Sequence, residues 1–183
     1  VLSSAYSSEK AKIGVLEMAE QIAFDLFEQK LVSKQFVLTI GYDRDNIQVQ
    51  KYSGEVATDR YGRKIPKHAH GTINLDTPTS SLKEITTAVS SLYDRIIDKE
   101  LLIRRLTLSA TKVMPKGGQV YQQLDLFTDY EALKKEQEKE RRLQKSILDI
   151  KKKYGKNAVL RGLSYEEGAT TRTRNGQIGG HKA

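Results

Sequence analysis

Cysteine is absent from the 183-residue chain, and histidine occurs only three times. Without cysteine there is no disulfide framework, no thiol nucleophile and no cysteine-ligated zinc site. Three histidines leave little material for a histidine-based metal site. No apolar run approaches the roughly 20 residues that a membrane-spanning helix needs, so the sequence predicts no integral membrane protein.

A secretory signal is also absent ahead of the first predicted element, and the chain begins with Val1 rather than with methionine. A signal peptide would need a basic start and an apolar stretch, which this chain does not offer. We therefore expect a piece of a larger, cytosolic protein.

Positive charge exceeds negative charge, since 31 Lys and Arg stand against 23 Asp and Glu and the formal net charge is +8. The excess favours an anionic partner, nucleic acid above all. Residues 1–112 hold 16 basic and 14 acidic side chains, whereas residues 113–183 hold 15 and 9. Because apolar periodicity is concentrated in the first part, we expect a folded domain followed by a basic extension.

Apolar spacing predicts two helices and three strands in the first part of the chain. Ser7 and Ser8 are suitable caps for the first helix, and Ser81 with Glu84 forms a capping box for the second. The stripes expected to be buried are Ile13, Leu16, Ala19, Ile22, Ala23, Leu26 and Phe27 in the first helix, and Leu82, Ile85, Val89, Leu92 and Ile96 in the second. The predicted strands are 36–42, 70–75 and 102–113.

The visible order of these elements is α-β-β-α-β, and a first strand reduced to the stub Val1-Leu2 would complete a βαββαβ unit. We therefore predict an α+β fold, in which two helices cover one face of an antiparallel sheet. The polar segment 43–66 is predicted to be a long loop, with a β-hairpin extension as the alternative.

Composition divides the chain into four parts. We expect a folded domain over 1–113, a linker over 114–128, a charged helix over 129–153 and a weakly ordered tail over 154–183. The apolar residues of the charged helix that are candidates for docking on another surface are Leu143, Ile147 and Ile150.

The sheet face away from the helices is predicted to be rich in hydroxyl groups. Alternation along the last strand places Arg105, Thr107 and Ser109 on that face, with Arg104 near the helix side. Such a face suits phosphate contact, although exposure to solvent also explains it. Further basic candidates are Lys112, Arg63, Lys64 and Lys67.

Two histidines, His68 and His70, are two residues apart at the predicted start of a strand and therefore share a face. A zinc site needs further ligands, and the sequence offers no obvious third one. We therefore expect these side chains to face solvent or nucleic acid rather than a metal.

The segment 123–127 concentrates three large apolar side chains in polar surroundings. An additional edge strand would explain this pattern, and so would a short docking motif whose apolar anchors enter a partner's pocket. The residues are Gln123, Leu124, Asp125, Leu126 and Phe127. Their sequence, QLDLF, resembles the pentapeptide with which bacterial replication and repair proteins bind the sliding β-clamp.

Several other segments resemble one family, the Y-family translesion DNA polymerases. The last predicted strand and the region before the 43–66 segment resemble the little finger domain of that family, and two further segments resemble its UmuC-like branch (ImpB/MucB/SamB) in Gram-positive bacteria. The segments are Val1-Leu2, Leu38–Asp43, Asp59–Lys67, Ile103–Leu108 and Lys153–Gly162. Together they make the chain similar to the C-terminal third of such a polymerase, with little finger and tail.

This resemblance implies a little finger-type fold that lays its sheet across the major groove near a primer-template junction. Backbone amides and basic side chains would hold the phosphates, and QLDLF would bind the sliding clamp. Palm, fingers and thumb domains would be further partners in the bacterial cytoplasm. Since the catalytic carboxylates and their Mg²⁺ ions belong to the palm, we expect no cofactor in this chain and no polymerisation by it alone.

Two other functions fit the predicted element order. An RRM-like RNA-binding module has the same βαββαβ order, but its third strand carries stacking aromatic residues, which the segment 68–75 lacks. A protein-interaction adaptor would use the charged helix as a coiled coil, but that helix lacks a sustained heptad pattern.

Overall fold

The computed structural model describes residues 1–49, 52–117, 129–178 and 181–182. In chain order, the elements are α1 (Ser8–Glu28), β1 (Leu31–Tyr42), α2 (Asp45–Val49), β2 (Val56–Thr58), β3 (Lys64–Pro66), β4 (Ala69–Thr79), α3 (Leu82–Ile96), β5 (Ile103–Pro115), α4 (Tyr130–Tyr154), a 3-10 turn (Gly162–Tyr165), α5 (Thr171–Asn175), β6 (Gln177–Ile178) and β7 (His181–Lys182). The predicted α+β class is confirmed.

The main sheet has the strand order β4-β1-β5, and both pairings are antiparallel. The N-terminal stub runs beside β5, where Leu2 donates its backbone N–H to the carbonyl of Arg104 (3.0 Å) and Tyr6 exchanges two backbone hydrogen bonds with Ile103. Because Ile103 also pairs with Tyr42 of β1, the stub lies at the outer edge of β5. This position fits the truncated first strand that the element order predicts.

A bulge interrupts the pairing of β4 with β1. Ser33 pairs with Thr79, but Gln35 already pairs with Asn74, so residues 75–78 of β4 stand opposite Lys34 alone and β4 has three extra residues. Extra residues in one strand bend it and locally disrupt the ladder. The bulge carries β4 four residues beyond the predicted end at Leu75.

The hydrophobic core lies between the sheet and the helices α1 and α3. From β1 it takes Phe36, Leu38 and Ile40, all fully buried, as the alternation along that strand predicts. The predicted stripe of α3 is confirmed, because its first four members are buried and Ile96 packs partly against the core. Burying each such side chain contributes about 1.5–3 kcal/mol.

The core face of α1 differs from the predicted stripe along the helix. Ile13, Leu16, Ile22 and Phe27 are only partly buried, whereas Ala11, Val15 and Phe24 are buried. Helix α1 packs against both α3 and β5 on its core side, and the C-terminal tail contacts its outer side. A single stripe at helical spacing does not predict such a helix.

Helix caps follow the predicted serines. Ser7 caps α1 by accepting the N–H of Lys10 (3.4 Å), and Ser81 caps α3 by accepting the N–H of Glu84 (3.1 Å). The capping box at Ser81 is only half formed, because the Ser81 N–H donates to the Thr79 hydroxyl instead of to the Glu84 side chain. Other backbone N–H groups at this end of α3 donate hydrogen bonds to side chains of α4.

Helix α4 begins one residue after its cap, Asp129, whose carboxylate accepts two backbone N–H groups. Its buried residue is Gln144, which accepts the N–H of Leu82 (3.3 Å) and donates to the carbonyls of Ser80 (2.9 Å) and Ala23 (3.4 Å). One amide therefore joins α4 to both helices of the core.

The apolar residues predicted to dock α4 have different environments. Ile147 packs against the core together with Leu148, but Leu143 and Ile150 are 61% and 40% exposed. Of these three candidates, Ile147 packs on the domain, whereas Leu143 and Ile150 do not. Polar contacts replace them, because Glu140 accepts from the Ser81 hydroxyl (2.6 Å) and from a backbone N–H at the start of α3 (3.0 Å).

The tail contains packed segments where weak order was expected. The buried carboxylate of Glu17 in α1 accepts the backbone N–H of Thr170 (2.7 Å), the Thr170 hydroxyl (3.0 Å) and the N–H of Thr171 (3.0 Å). These bonds place the residues before α5 against the outer side of α1. Within the described residues, no helix combines the length and apolar character needed to cross a membrane.

We predict that Gln144→Leu lowers the free energy of unfolding by about 1–3 kcal/mol, because buried backbone groups of α3 and α1 then lose their partner. Gln137→Leu is the matched control, since Gln137 is exposed on the same helix and should change stability by at most about 0.5 kcal/mol. Urea unfolding monitored by circular dichroism measures both. Equal stability of the two variants would contradict a docking role for Gln144.

Candidate nucleic-acid interface

One face of the sheet points away from α1 and α3, and we call it the open face. The pairing register aligns its residues in three rows across β4, β1 and β5. The rows are Asn74–Gln35–Thr111, Thr72–Val37–Ser109 and His70–Thr39–Thr107. None of the nine side chains is acidic, and eight of them are polar.

Side chains within these rows are hydrogen-bonded to one another. Gln35 donates through Nε2 to Oδ1 of Asn74 (2.7 Å) and accepts at Oε1 from the Thr111 hydroxyl (2.7 Å). In another row the Thr39 hydroxyl lies 2.9 Å from Nδ1 of His70. Cross-strand pairs of this kind stabilise a sheet and hold its polar groups in fixed positions.

Arg105 lies beyond these rows, where it pairs with Gly41 of β1. A Cβ atom at Gly41 would approach Cβ of Arg105 to 3.1 Å, so glycine leaves room for the arginine side chain. Arg105, Thr107 and Ser109 are all exposed, on the side that alternation predicts. Within the described part of the chain, the Arg105 guanidinium has no hydrogen-bond or ion-pair partner.

The neighbouring Arg104 has a different environment. Its Nε lies 3.8 Å from the Asp43 carboxylate, and its Nη1 donates to the carbonyl of Ser3 (3.4 Å). Buried Asn46 holds this region by accepting the N–H of Leu102 (2.8 Å) and donating to its carbonyl (2.9 Å). The two adjacent arginines therefore face different surroundings.

Lys112 is exposed but does not continue the alternation of β5. Its φ of 52° is in the left-handed region, which turns the backbone at that residue. It is placed near the end of the strand, after Thr111, and is not a member of the aligned rows.

The other predicted cations lie on or next to the hairpin formed by β2 and β3, which is the second part of the 43–66 segment. The first part contains the short helix α2, which the prediction of a loop did not include. Arg63 bonds to Asp59 (Nε to Oδ2, 2.8 Å), and Lys67 bonds to both carboxylate oxygens of Glu55 (2.9 Å). Lys64 is exposed and has no such partner among the described residues.

Asp59 organises the end of this hairpin. Its carboxylate accepts the backbone N–H groups of Tyr61 (2.8 Å) and Arg63 (2.9 Å) as well as the Arg63 side chain. These hydrogen bonds, those of Arg63 above all, hold the pKa of Asp59 below its usual value. The same side-chain bond raises the pKa of Arg63.

The structure thus divides the predicted site residues into two groups. Arg105, Thr107 and Ser109 share the open face, whereas Arg63, Lys64 and Lys67 belong to the hairpin. The predicted clamp-binding residues Gln123, Leu124, Asp125, Leu126 and Phe127 lie outside the described residues. Among the residues that are described, no group of three or more His, Asp or Glu side chains is arranged to hold a metal ion.

Several residues of the open face are absent from the predicted site set. They are Gln35, Thr39, His70, Thr72, Asn74 and Thr111. Alternation within β4 places Thr72 and Asn74 on the face away from Ile73 and Leu75, and the same rule applied to β1 identifies Gln35 and Thr39. Their alignment in rows, however, depends on the register between strands.

A helix layer on one face of a short antiparallel sheet and a polar, acid-free face on the other are consistent with a little finger-like domain. The family model for the impB/mucB/samB family C-terminal domain matches residues 3–126. The chain therefore belongs to the impB/mucB/samB family, as the C-terminal domain of a Y-family polymerase.

One curated relative is the protein named "Putative UV-damage repair protein UvrX" of Bacillus subtilis (strain 168). It is 27% identical over 176 residues, which cover 96% of this chain and 36% of the relative. The chain thus spans about a third of the length of that protein.

We predict that Asp59→Ala lowers the protection factors of the Tyr61 and Arg63 amides several-fold, because both N–H groups lose their acceptor. Asp76→Ala, at an exposed position on β4, should leave them unchanged. Since the pKa of Asp59 is lowered by folding, its stabilising effect is present above the unfolded-state pKa of about 3.9 and is lost as pH falls through the lower folded value. Hydrogen exchange by NMR measures this, and unchanged protection in Asp59→Ala would contradict it.

Proposed function

We propose that this chain is the DNA-contacting and clamp-docking part of a lesion-bypass DNA polymerase in the bacterial cytoplasm. The palm, fingers and thumb, with the catalytic carboxylates and Mg²⁺, would belong to the remainder of the protein. The UV-damage repair name of the relative supports a role in the response to DNA damage. The isolated chain would bind DNA without polymerising it.

The observation that carries this proposal is the open face. A surface with several hydroxyls, an arginine that has no partner among the described residues, and no acidic side chain in its aligned rows is complementary to phosphate groups. Arg105, Thr107 and Ser109 are exposed, so little desolvation opposes their contact with phosphate. Such contacts are independent of base sequence and sensitive to salt, as lesion bypass on any template requires.

RNA recognition of the RRM type finds no support on this face. In that mode, aromatic side chains on the sheet stack against bases. The aligned rows of β4, β1 and β5 contain no Phe, Tyr or Trp. Phosphate contact by Arg105 and the hydroxyls therefore fits the chemistry of the face better.

Clamp docking is proposed from the QLDLF motif at 123–127. This motif lies at the C-terminal end of the family match, which includes all of its residues except Phe127, and it precedes α4 in the chain. The docking segment would therefore connect the DNA-contacting domain to a helix anchored on it. A tether raises the local concentration of a polymerase on DNA without any new contact to the template.

We predict that Arg105→Ala weakens duplex DNA binding about equally for different sequences and reduces the slope of log affinity against log salt by about one. Arg104→Ala removes the same charge from the neighbouring position, where the arginine already has partners, and should leave the slope nearly unchanged. Fluorescence anisotropy over a range of salt concentrations measures both. Equal slopes for wild type and Arg105→Ala in a folded protein would exclude Arg105 from the phosphate contacts.

We also predict that the chain binds the bacterial sliding clamp with about micromolar affinity, equivalent to about 8 kcal/mol. The double variant Leu126→Ala, Phe127→Ala should abolish binding, because both apolar anchors are removed. Surface plasmon resonance with purified clamp measures this. Equal binding by the double variant would show that another segment makes the contact.

Deletion of 123–127 separates the two proposed activities. DNA binding should survive this deletion while clamp binding is lost. Loss of DNA binding in a deletion variant that keeps its far-ultraviolet circular dichroism spectrum would contradict the proposal that the open face binds DNA independently of the motif.

A further inference from the structure

The end of the β2–β3 hairpin is held by strand pairing and by hydrogen bonds within its turn. Thr58 pairs with Lys64, and the residues between them turn with Gly62 at a φ of 76°, which glycine adopts without steric cost. Asp59 fastens this turn through the backbone N–H groups of Tyr61 and Arg63. The side chains of the turn are therefore presented from a fixed backbone.

Tyr61 stands at this turn with its side chain in solvent. The residue is 65% exposed, so its ring contributes little to any core. The Arg60 and Arg63 guanidinium carbons lie 4.7 and 4.9 Å from the ring centroid, and Arg60 also donates to the Tyr61 hydroxyl (2.5 Å). An exposed aromatic ring is thus displayed at the hairpin end beside Arg60 and Arg63, of which Arg63 is also bonded to Asp59. Lys64, which has no such partner in the part of the chain that the structure describes, follows directly.

This combination matches the chemistry of single-stranded nucleic acid. Unpaired bases expose their π-faces and stack on aromatic rings or on arginine, while neighbouring cations attract the phosphates. Duplex DNA keeps its bases stacked, and side chains that force them apart are usually apolar wedges rather than a tyrosine flanked by arginines. The hairpin end therefore has a different preference from the open face.

We propose that the hairpin end, formed by Arg60, Tyr61, Arg63 and Lys64, binds single-stranded template DNA by stacking a base on Tyr61. This rests on the proposed function, since it takes DNA as the partner of the domain. It adds a second contact on the same chain, directed at the unpaired template strand rather than at the duplex.

The chain contains no tryptophan, which allows a direct test. In Tyr61→Trp the introduced indole is the single fluorophore of its kind, and stacking on a base quenches it. Tyr165→Trp is the matched control, because Tyr165 is 67% exposed and the Arg172 guanidinium carbon lies 5.4 Å from its ring centroid. Titration with an oligothymidine should quench the first variant and leave the second unchanged.

Affinity provides a second readout. Tyr61→Ala should weaken binding of the oligothymidine about tenfold, within the range measured for loss of one stacking residue, and leave the affinity for blunt duplex DNA unchanged. Circular dichroism should confirm that each of these tyrosine variants is folded. Tyr61→Phe, which keeps the ring, should bind almost as the wild type does.

The outcomes separate this inference from the proposed function. Absence of quenching in Tyr61→Trp, or equal quenching in Tyr165→Trp, would overturn the inference even if duplex DNA binds normally. Quenching specific to Tyr61→Trp, combined with no duplex binding by the wild type, would support the hairpin contact and overturn the function assigned to the open face.

Discussion

The hydrogen-bonded position of β1 between β4 and β5 determines which side chains of all three strands share a face. Since side chains alternate along a strand, a slip of one residue in either pairing would move Phe36, Leu38 and Ile40 out of the core. Burial of those three residues therefore sets the register, and the register aligns the polar rows on the opposite face. Which polar side chains lie on the open face is therefore determined by which apolar side chains are buried in the core.

The helix layer on the other side is fastened by polar groups that are themselves buried. Gln144 joins α4 to α1 and α3, and Glu17 holds the tail against α1. Because hydrogen bonds have preferred directions, these residues determine the orientation of α4 and of the tail in addition to stabilising their contact with the domain. All of these attachments are made on the helix side, which leaves the open face available for a partner.

Local signals predicted a large part of this arrangement. The capping serines, the stripe of α3 and the alternation of β1 and β5 depend on residues close in sequence, and the structure agrees with each. The prediction failed where distant segments meet. The buried side of α1 depends on its packing against α3 and β5. Gln144 is buried where the start of α3 and a backbone carbonyl inside α1 come together.

Prediction of the candidate site from the sequence has the same limit. Alternation within one strand predicts that Arg105, Thr107 and Ser109 share a face. To predict that Gln35 and Asn74 lie in the same row, the register between strands must be known. Tyr61 gave no signal as a site residue, because its position at a hairpin end depends on the pairing of two strands of only three residues each. The bulge at 75–78 likewise has no counterpart in the apolar pattern.

The bulge in β4 also affects whether a strand of another molecule can pair with the edge of the sheet. β4 is an edge strand in the three-stranded sheet, and an uninterrupted edge is a template for intermolecular strand addition. Within the bulge, Pro78 has no N–H to donate and Asp76 adds an exposed charge, while the irregular backbone breaks the spacing of the remaining groups. The exposed edge of β4 is thereby protected against aggregation, while the aligned rows of the open face lie outside the bulge.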